Sequence, residues 1–211
     1  MDFLSPGLQE YAEAHTTSES EVLQFINRET HSKVLSPRML SGHLQGRLLS
    51  AFSHMLRPER ILEIGTYTGY SAVCMAEGLA PNGKLYTIDV NEELEERVRS
   101  HFEKAGITDR VEFLIGDARE IIPTLKETWD LVFIDADKLA YPQYFDLVID
   151  NMREGGFIIV DNVLWSGKIV EDVHDKKTES MRAFNKKIMD DPRVENILLP
   201  VRDGLMVIRK I

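Results

Sequence analysis

The chain has 211 residues, 43% of them hydrophobic, and a formal net charge of −10 at pH 7. That length suits one large domain able to bury roughly 70% of its unfolded surface, and the acidic balance disfavours broad polyanion binding while leaving room for a local basic patch. Cys74 is the single cysteine, Asp2 and Pro6 interrupt the start, and no apolar run reaches the ~18 residues of a membrane span, so a disulfide, a multi-cysteine metal site, a secretory leader and a spanning helix are all excluded as expectations. A soluble, cytoplasmic protein is expected.

Residues 1–58 read as a helical segment. Val22, Leu23, Phe25 and Ile26 make one apolar face, and Leu44, Leu48, Leu49, Phe52 and Met55 make another at helical spacing, each suited to packing on a sheet or on a second subunit. Between them Ser36-Pro37-Arg38-Met39-Leu40-Ser41-Gly42 is rich in turn formers and can sit over a ligand. The apolar run Ile61-Leu62-Glu63-Ile64 then meets Gly65 and Gly69, and the helical stretch Ser71 to Ala76 follows: strand, tight turn, helix, the opening of a nucleotide-binding α/β sheet. A dinucleotide turn places a third glycine where its backbone meets a pyrophosphate, whereas Thr66, Tyr67 and Thr68 stand between these two. Glu63, two residues before the turn, would repel phosphate and attract a cation such as the sulfonium of S-adenosylmethionine (SAM); it can equally cap a loop or pair with an arginine. Cys74, on the helix, is expected as a small core residue.

Alternation continues after that turn. Leu85-Tyr86-Thr87-Ile88 is a strand ending at Asp89, Glu93 to Ala105 a charged helix, Val111 to Ile115 a strand, and Ala118 to Leu125 a short helix. Leu131 to Ile134, Phe145 to Met152 and Phe157 to Val160 read as strand, helix and strand. Glu195 to Leu199 and Leu205 to Ile208 are separated by Pro200-Val201-Arg202-Asp203-Gly204, too short for a crossover helix and carrying the Asp-Gly of a hairpin. The expected fold class is α/β: a Rossmann-like, seven-stranded, mostly parallel sheet with a C-terminal antiparallel hairpin, helices on both faces and extra N-terminal helices, in a single domain over 1–211.

Ligands of open α/β sheets bind beyond the carboxyl ends of the strands. Those ends carry Glu63 and Gly65, then Asp89, Gly116-Asp117-Ala118, Asp135-Ala136-Asp137-Lys138, and Asp161-Asn162. Asp89 can accept two ribose hydroxyls or cap the following helix. Asp135, Asp161 and Asn162 offer two carboxylates and an amide oxygen, hard donors suited to Mg²⁺ or Ca²⁺, although Asp-Asn is also a common turn former; no histidine joins them, which disfavours zinc. Lys138, three residues past Asp135, can act as a general base toward a hydroxyl. His15, His31, His43, His54, His101 and His174 show no spacing with a nucleophile and read as solvent-facing or structural. A Gly-x-Ser-x-Gly elbow and a phosphate-binding Gly-Lys-Ser/Thr loop are both absent from the sequence.

Three stretches, Leu62 to Ser71, Phe133-Ile134-Asp135-Ala136-Asp137-Lys138, and Asp161-Asn162-Val163-Leu164-Trp165-Ser166-Gly167, together resemble the cation-dependent O-methyltransferases of the caffeoyl-CoA and catechol type. The resemblance runs from about Ser36 to the C-terminus. It implies a single SAM-dependent methyltransferase domain in which Ser41, Glu63, Gly65, Thr66, Ser71, Asp89, Ala118, Asp135 and Asp137 contact SAM, with Ser41 at the methionine end. It implies that Asp135, Asp161 and Asn162 hold a divalent cation, Mg²⁺ before Ca²⁺ or Mn²⁺, and that Lys138 with Asp135 carries the chemistry. Arg38 and Trp165 are expected at the acceptor, a hydroxylated aromatic small molecule, and the N-terminal helices are expected to support a homodimer. Ser166 stands where the plant enzymes acting on coenzyme A esters commonly have asparagine. Some bacterial members methylate a hydroxyuridine in transfer RNA, an alternative for which Arg38, Arg47 and Arg57 would supply basic surface.

Overall fold

The structure is a computed structural model that describes residues 5–211. The chain divides into two compact units, the first ending at Asp117 and the second running from Ala118 to Ile211.

The first unit holds α1 (Pro6–Ala14), α2 (Glu21–Lys33), α3 (Gly42–Leu56), β1 (Arg60–Ile64), α4 (Tyr70–Ala76), β2 (Lys84–Asp89), α5 (Glu95–Lys104) and β3 (Val111–Ile115). Both β1 and β3 pair with β2 in parallel. Strands buried on both faces explain the near-continuous apolar runs, with Ile61, Leu62, Ile64, Leu85 and Ile88 almost wholly hidden. α2 is capped by Ser20, which accepts from the Leu23 amide, and it buries Leu23, Ile26 and Thr30. Cys74 is a core residue, as expected; burial pushes its thiol up to about 12.

Of the apolar stripe on α3, only Leu49 is buried. The buried face of the helix is Gln45, Gly46, Leu49, Ser50 and Ser53, while Met55 is 71% exposed and Leu44, Leu48 and Phe52 are only half-buried. Close approach of two backbones is the reason. A Cβ on Gly46 would lie 2.6 Å from the Tyr70 ring, and one on Gly78 would lie 2.2 Å from the Ser53 carbonyl carbon. Small residues, not the apolar stripe, therefore occupy the crossing with α4, where the Ser53 hydroxyl donates to the Met75 carbonyl at 2.6 Å. Backbone atoms cannot yield as a side-chain end can, so Gly78→Ala is expected to cost about 3 kcal/mol. Thermal melting should show a fall of roughly 6–12 °C.

The second unit holds α6 (Ala118–Ile121), β4 (Trp129–Ile134), α7 (Tyr141–Ile149), β5 (Met152–Val160), α8 (Lys176–Asp190), β6 (Val194–Leu199) and β7 (Leu205–Lys210). β4 and β5 are parallel; β7 runs antiparallel to β5 and to β6, closing the chain with the expected hairpin. α6 gives way at Ile122 to a 3-10 turn that contains Pro123. α7 starts four residues earlier than the apolar pattern indicates, with Pro142 in its first turn, and Met152 already belongs to β5 opposite Trp129. α8, which the sequence reading leaves unassigned, is capped by Asp175 Oδ1 accepting from the Lys177 and Thr178 amides, and it buries Thr178, Met181, Phe184 and Ile188. The seven strands are thus the expected mostly parallel α/β set with an antiparallel C-terminal end. Among the described residues, no helix is long and apolar enough to cross a membrane.

Candidate active site

In the first unit the turn after β1 is built around a buried carboxylate. Glu63 is fully buried, and its two oxygens accept from Ser71 Oγ and Thr87 Oγ1, each at 2.5 Å. One acid therefore joins β1, the start of α4 and β2. Hydroxyl donors offset the desolvation of the charge, and each such bond contributes about 1.5–3 kcal/mol. Thr66, also buried, meets Thr87 of β2 at 2.5 Å. Gly65 has φ 103° and Gly69 φ 80°, conformations that glycine reaches without strain, and a Cβ on Gly69 would lie 2.7 Å from the Phe102 ring on α5.

Asp89 closes the same turn. Its Oδ2 accepts from the Tyr67 amide at 2.7 Å and its Oδ1 from the Asn91 amide at 2.9 Å. The cap of the following 3-10 turn is Asn91, which accepts from Glu93, so the helix-capping alternative for Asp89 passes to its neighbour. Both carboxylate oxygens are aligned by backbone donors, and each retains lone-pair capacity for a ligand hydroxyl. Tyr67 donates through its phenol to the Leu35 and Ser36 carbonyls at 3.0 and 3.2 Å, which ties the turn to the segment carrying Arg38 and Ser41. Ser41 is buried at the head of α3 and makes no capping bond; Arg38 is exposed.

In the second unit, β4 and β5 deliver their acids side by side. Ile134 is in register with Val160, and the Asp161 amide donates to the Ile134 carbonyl at 3.0 Å, so Asp135 and Asp161 follow the same ends of neighbouring strands. Both carboxylates act on one phenol: burial pushes Tyr141 well above the usual tyrosine range, and the charges of Asp135 and Asp161 push it further. Tyr141 donates to the Asp161 carbonyl at 3.1 Å. Lys138 Nζ lies 2.7 Å from Asp135 Oδ1 with both side chains mostly buried, and its ammonium stands 5.2 Å from the Tyr141 ring centre. Asp137 caps the turn that carries Lys138, accepting from Leu139, and Ala118 is buried at the head of α6.

Asp161 is 3% exposed, and its Oδ1 accepts from the Asn162 amide at 2.7 Å. That bond helps hold Asn162 at φ 63°. The donor set of two carboxylates and one amide oxygen fits a hard divalent cation. Among the described residues, no three His, Cys, Asp or Glu side chains gather at metal-binding distance.

The segment beyond Asn162 is strained and braced. Trp165 and Ser166 have φ 48° and 55°, which costs about 1–3 kcal/mol per residue. Three side chains from elsewhere in the unit hold it. Asp203 Oδ1 accepts from the Ser166 amide at 2.5 Å, Asn185 donates to the Val163 carbonyl at 2.9 Å, and Arg182 donates to the carbonyls of Lys168, Ile169, Glu171 and Val173 at 2.5–2.9 Å. None of these braces stands out in the sequence, because each acts on backbone carbonyls or amides distant in the chain. The indole N–H of Trp165 is buried with no hydrogen-bond partner among the described residues, a donor suited to a ligand oxygen. Arg182→Ala should speed amide exchange across residues 168–173 by at least about tenfold, read by hydrogen exchange, while exchange in β4 stays unchanged.

A family model described as O-methyltransferase matches residues 13–211. The chain belongs to the O-methyltransferase family. It is similar to caffeoyl-CoA O-methyltransferase 5 of Nicotiana tabacum, 34% identical over 197 residues that cover 87% of this chain and 82% of that one. Among solved structures it is similar to the O-methyltransferase TomG from Streptomyces achromogenes in complex with SAM, at TM-score 0.88 and 29% identity, covering 97% of this chain and 96% of that one. It is also similar to the O-methyltransferase from Bacillus cereus in complex with SAH, at TM-score 0.90 and 28% identity, covering 97% of each. The resemblance to the cation-dependent caffeoyl-CoA and catechol type is borne out, and with it the fold class. This O-methyltransferase is a SAM-dependent enzyme.

Proposed function

We propose that this O-methyltransferase moves the methyl group of SAM to one hydroxyl of a vicinal pair on a catechol-like small molecule, with a divalent cation, Mg²⁺ before Mn²⁺ or Ca²⁺, at Asp135, Asp161 and Asn162. The observation that carries this reading is the pairing of strand ends: two acids delivered by hydrogen-bonded neighbours, with Lys138 2.7 Å from one of them. A cation held there would engage both acceptor oxygens and favour loss of the hydroxyl proton.

Each residue then has a task. Asp89 accepts from the ribose hydroxyls, with its oxygens aligned by the Tyr67 and Asn91 amides. Glu63 holds Ser71 and Thr87 so that the turn at Gly65 and Thr66 keeps its shape, and Ser41, Ala118, Asp135 and Asp137 complete the cofactor set carried over from the family. Lys138, once it has shed its own proton, takes the acceptor's proton on the neutral amine at Nζ. The acceptor oxygen forms the new O–C bond as the S–C bond of the sulfonium breaks, and that electron pair remains on sulfur. Trp165 offers its indole N–H to the acceptor, and Arg38 stands on exposed surface where it can meet a substrate substituent. Orientation and charge do most of the work, because a methyl sulfonium is already reactive.

The uninterrupted family match over residues 13–211 supports one catalytic domain, and the half-buried Leu44, Leu48 and Phe52 support a homodimer, operating in the cytoplasm. Arg47 is engaged by Glu77 at 2.9 Å, which leaves less basic surface for a transfer RNA than the alternative requires. The test is a methyl-transfer screen of catechols, hydroxycinnamoyl thioesters and hydroxyuridine-containing transfer RNA, each with and without a chelator. Mass gain on catechols, abolished by chelator, is the expected result; gain on RNA alone would overturn the substrate assignment.

A further inference from the structure

The turn between Gly65 and Gly69 is hydrogen-bonded to α5 through the imidazole of His101. His101 is fully buried; its Nδ1 lies 2.9 Å from the Thr68 carbonyl oxygen and its Nε2 lies 2.7 Å from Glu29 Oε2. A backbone carbonyl can only accept. Glu29 can only accept as well: against the upward push of its burial, hydrogen bonds from Lys33, His101 and Arg97 hold its carboxyl down at about 2. Each ring nitrogen therefore faces an acceptor, and either neutral tautomer would set a lone pair against an oxygen. A doubly protonated ring satisfies both contacts.

We propose that His101 is a positioning residue for cofactor binding: a doubly protonated imidazole that anchors the Thr68 carbonyl to Glu29 and so sets the turn that presents Asp89. The path is short and continuous. Thr68 is gripped twice, by His101 at its carbonyl and by Thr30 Oγ1 at its hydroxyl, 3.0 Å away. One residue earlier, the Tyr67 amide donates to Asp89 Oδ2. The charged groups around the ring are few. Glu29 comes from α2, with Lys33 paired to it; Arg97 comes from α5 and lies 2.9 Å from Glu29; Lys104 stands over Phe25, which packs edge-on against the ring. Lys33 and Arg97, both paired with Glu29, thus keep the second acceptor of the imidazole ionised.

The inference rests on the reading of Asp89 as a cofactor ligand, and the two are separated by choice of variants. His101→Asn places an amide N–H near the Nδ1 position and keeps the bond to Thr68; His101→Gln reaches Glu29 and loses Thr68. Calorimetric titration with S-adenosylhomocysteine should show H101Q weakened by about tenfold and H101N within about threefold of wild type, with kcat at saturating SAM little changed in both. Equal affinity in all three proteins, or equal weakening in both variants, would overturn the positioning role. Wild-type affinity in D89A would instead overturn the cofactor reading beneath it. Should H101Q fail to fold, the ring ¹⁵N resonances of the wild-type protein decide: two protonated nitrogens are expected, and a neutral ring would contradict the proposal.

Discussion

Asp161→Ala is expected to lower metal-dependent turnover by about a thousandfold or more, the scale of several kcal/mol that a bound cation supplies at a developing oxyanion. Asp161 is nearly inaccessible to solvent, and its carboxylate serves two purposes. In the proposed reading, one is donation of an oxygen to the cation. The other is acceptance of the Asn162 amide, which keeps the neighbouring amide oxygen at a left-handed position. Loss of one side chain thus removes one donor and displaces a second. Asp161→Asn separates these effects, since its amide oxygen can still accept from Asn162 while the negative charge is gone. Both variants should bind S-adenosylhomocysteine within about threefold of wild type by calorimetry, because the ribose and turn contacts proposed above belong to Asp89 and Gly65 to Gly69. Full activity of D161A in chelator would show that the acid is a turn former and nothing more.

Lys138→Met is expected to lower kcat by about 10²–10⁴, the usual span for loss of a general base. Charge alone does not account for that role, and the arginine variant shows why. Lys138→Arg keeps a cation beside Asp135, but a guanidinium stays protonated and cannot take the acceptor's proton, so R and M should fail alike. Rescue gives a second check. An acceptor bearing a nitro group ionises its hydroxyl unaided, and K138M should then recover to within about tenfold of wild type. Recovery by K138R on ordinary catechols would contradict the proton-transfer role and leave Lys138 as an electrostatic partner of Asp135, 2.7 Å away.

Much of this was legible in the sequence because period and punctuation agree there. Apolar runs that end on acids, such as Leu85 to Asp89, can be strands of a covered parallel sheet, and Asp203-Gly204 between two apolar runs announces a hairpin. The acids at strand ends were visible for the same reason: strand boundaries were. What escaped notice depends on packing between distant segments. α3 carries an apolar stripe at helical spacing, yet it buries glycine and serine because the Tyr70 ring packs on Gly46 and the backbone at Gly78 meets that of Ser53. α8 had a signal, with Met181, Phe184 and Ile188 at helical spacing behind Asp175, but its many lysines mask it. Glu63 is legible in the sequence as an acid that would attract a cation; its bonds to the Ser71 and Thr87 hydroxyls are not legible there, because they join segments brought together by the fold. His101 and Arg182 gave no warning at all, since their partners Glu29, Thr68 and the carbonyls of residues 168–173 become neighbours only in the folded chain.

The most direct test is to titrate the protein with Mn²⁺ in the presence of a catechol and follow binding by electron paramagnetic resonance. One Mn²⁺ per chain, lost in both Asp135→Ala and Asp161→Ala, is the predicted result. Equal Mn²⁺ uptake by wild type and the two variants, or none by wild type, would contradict the claim that these strand ends share an ion.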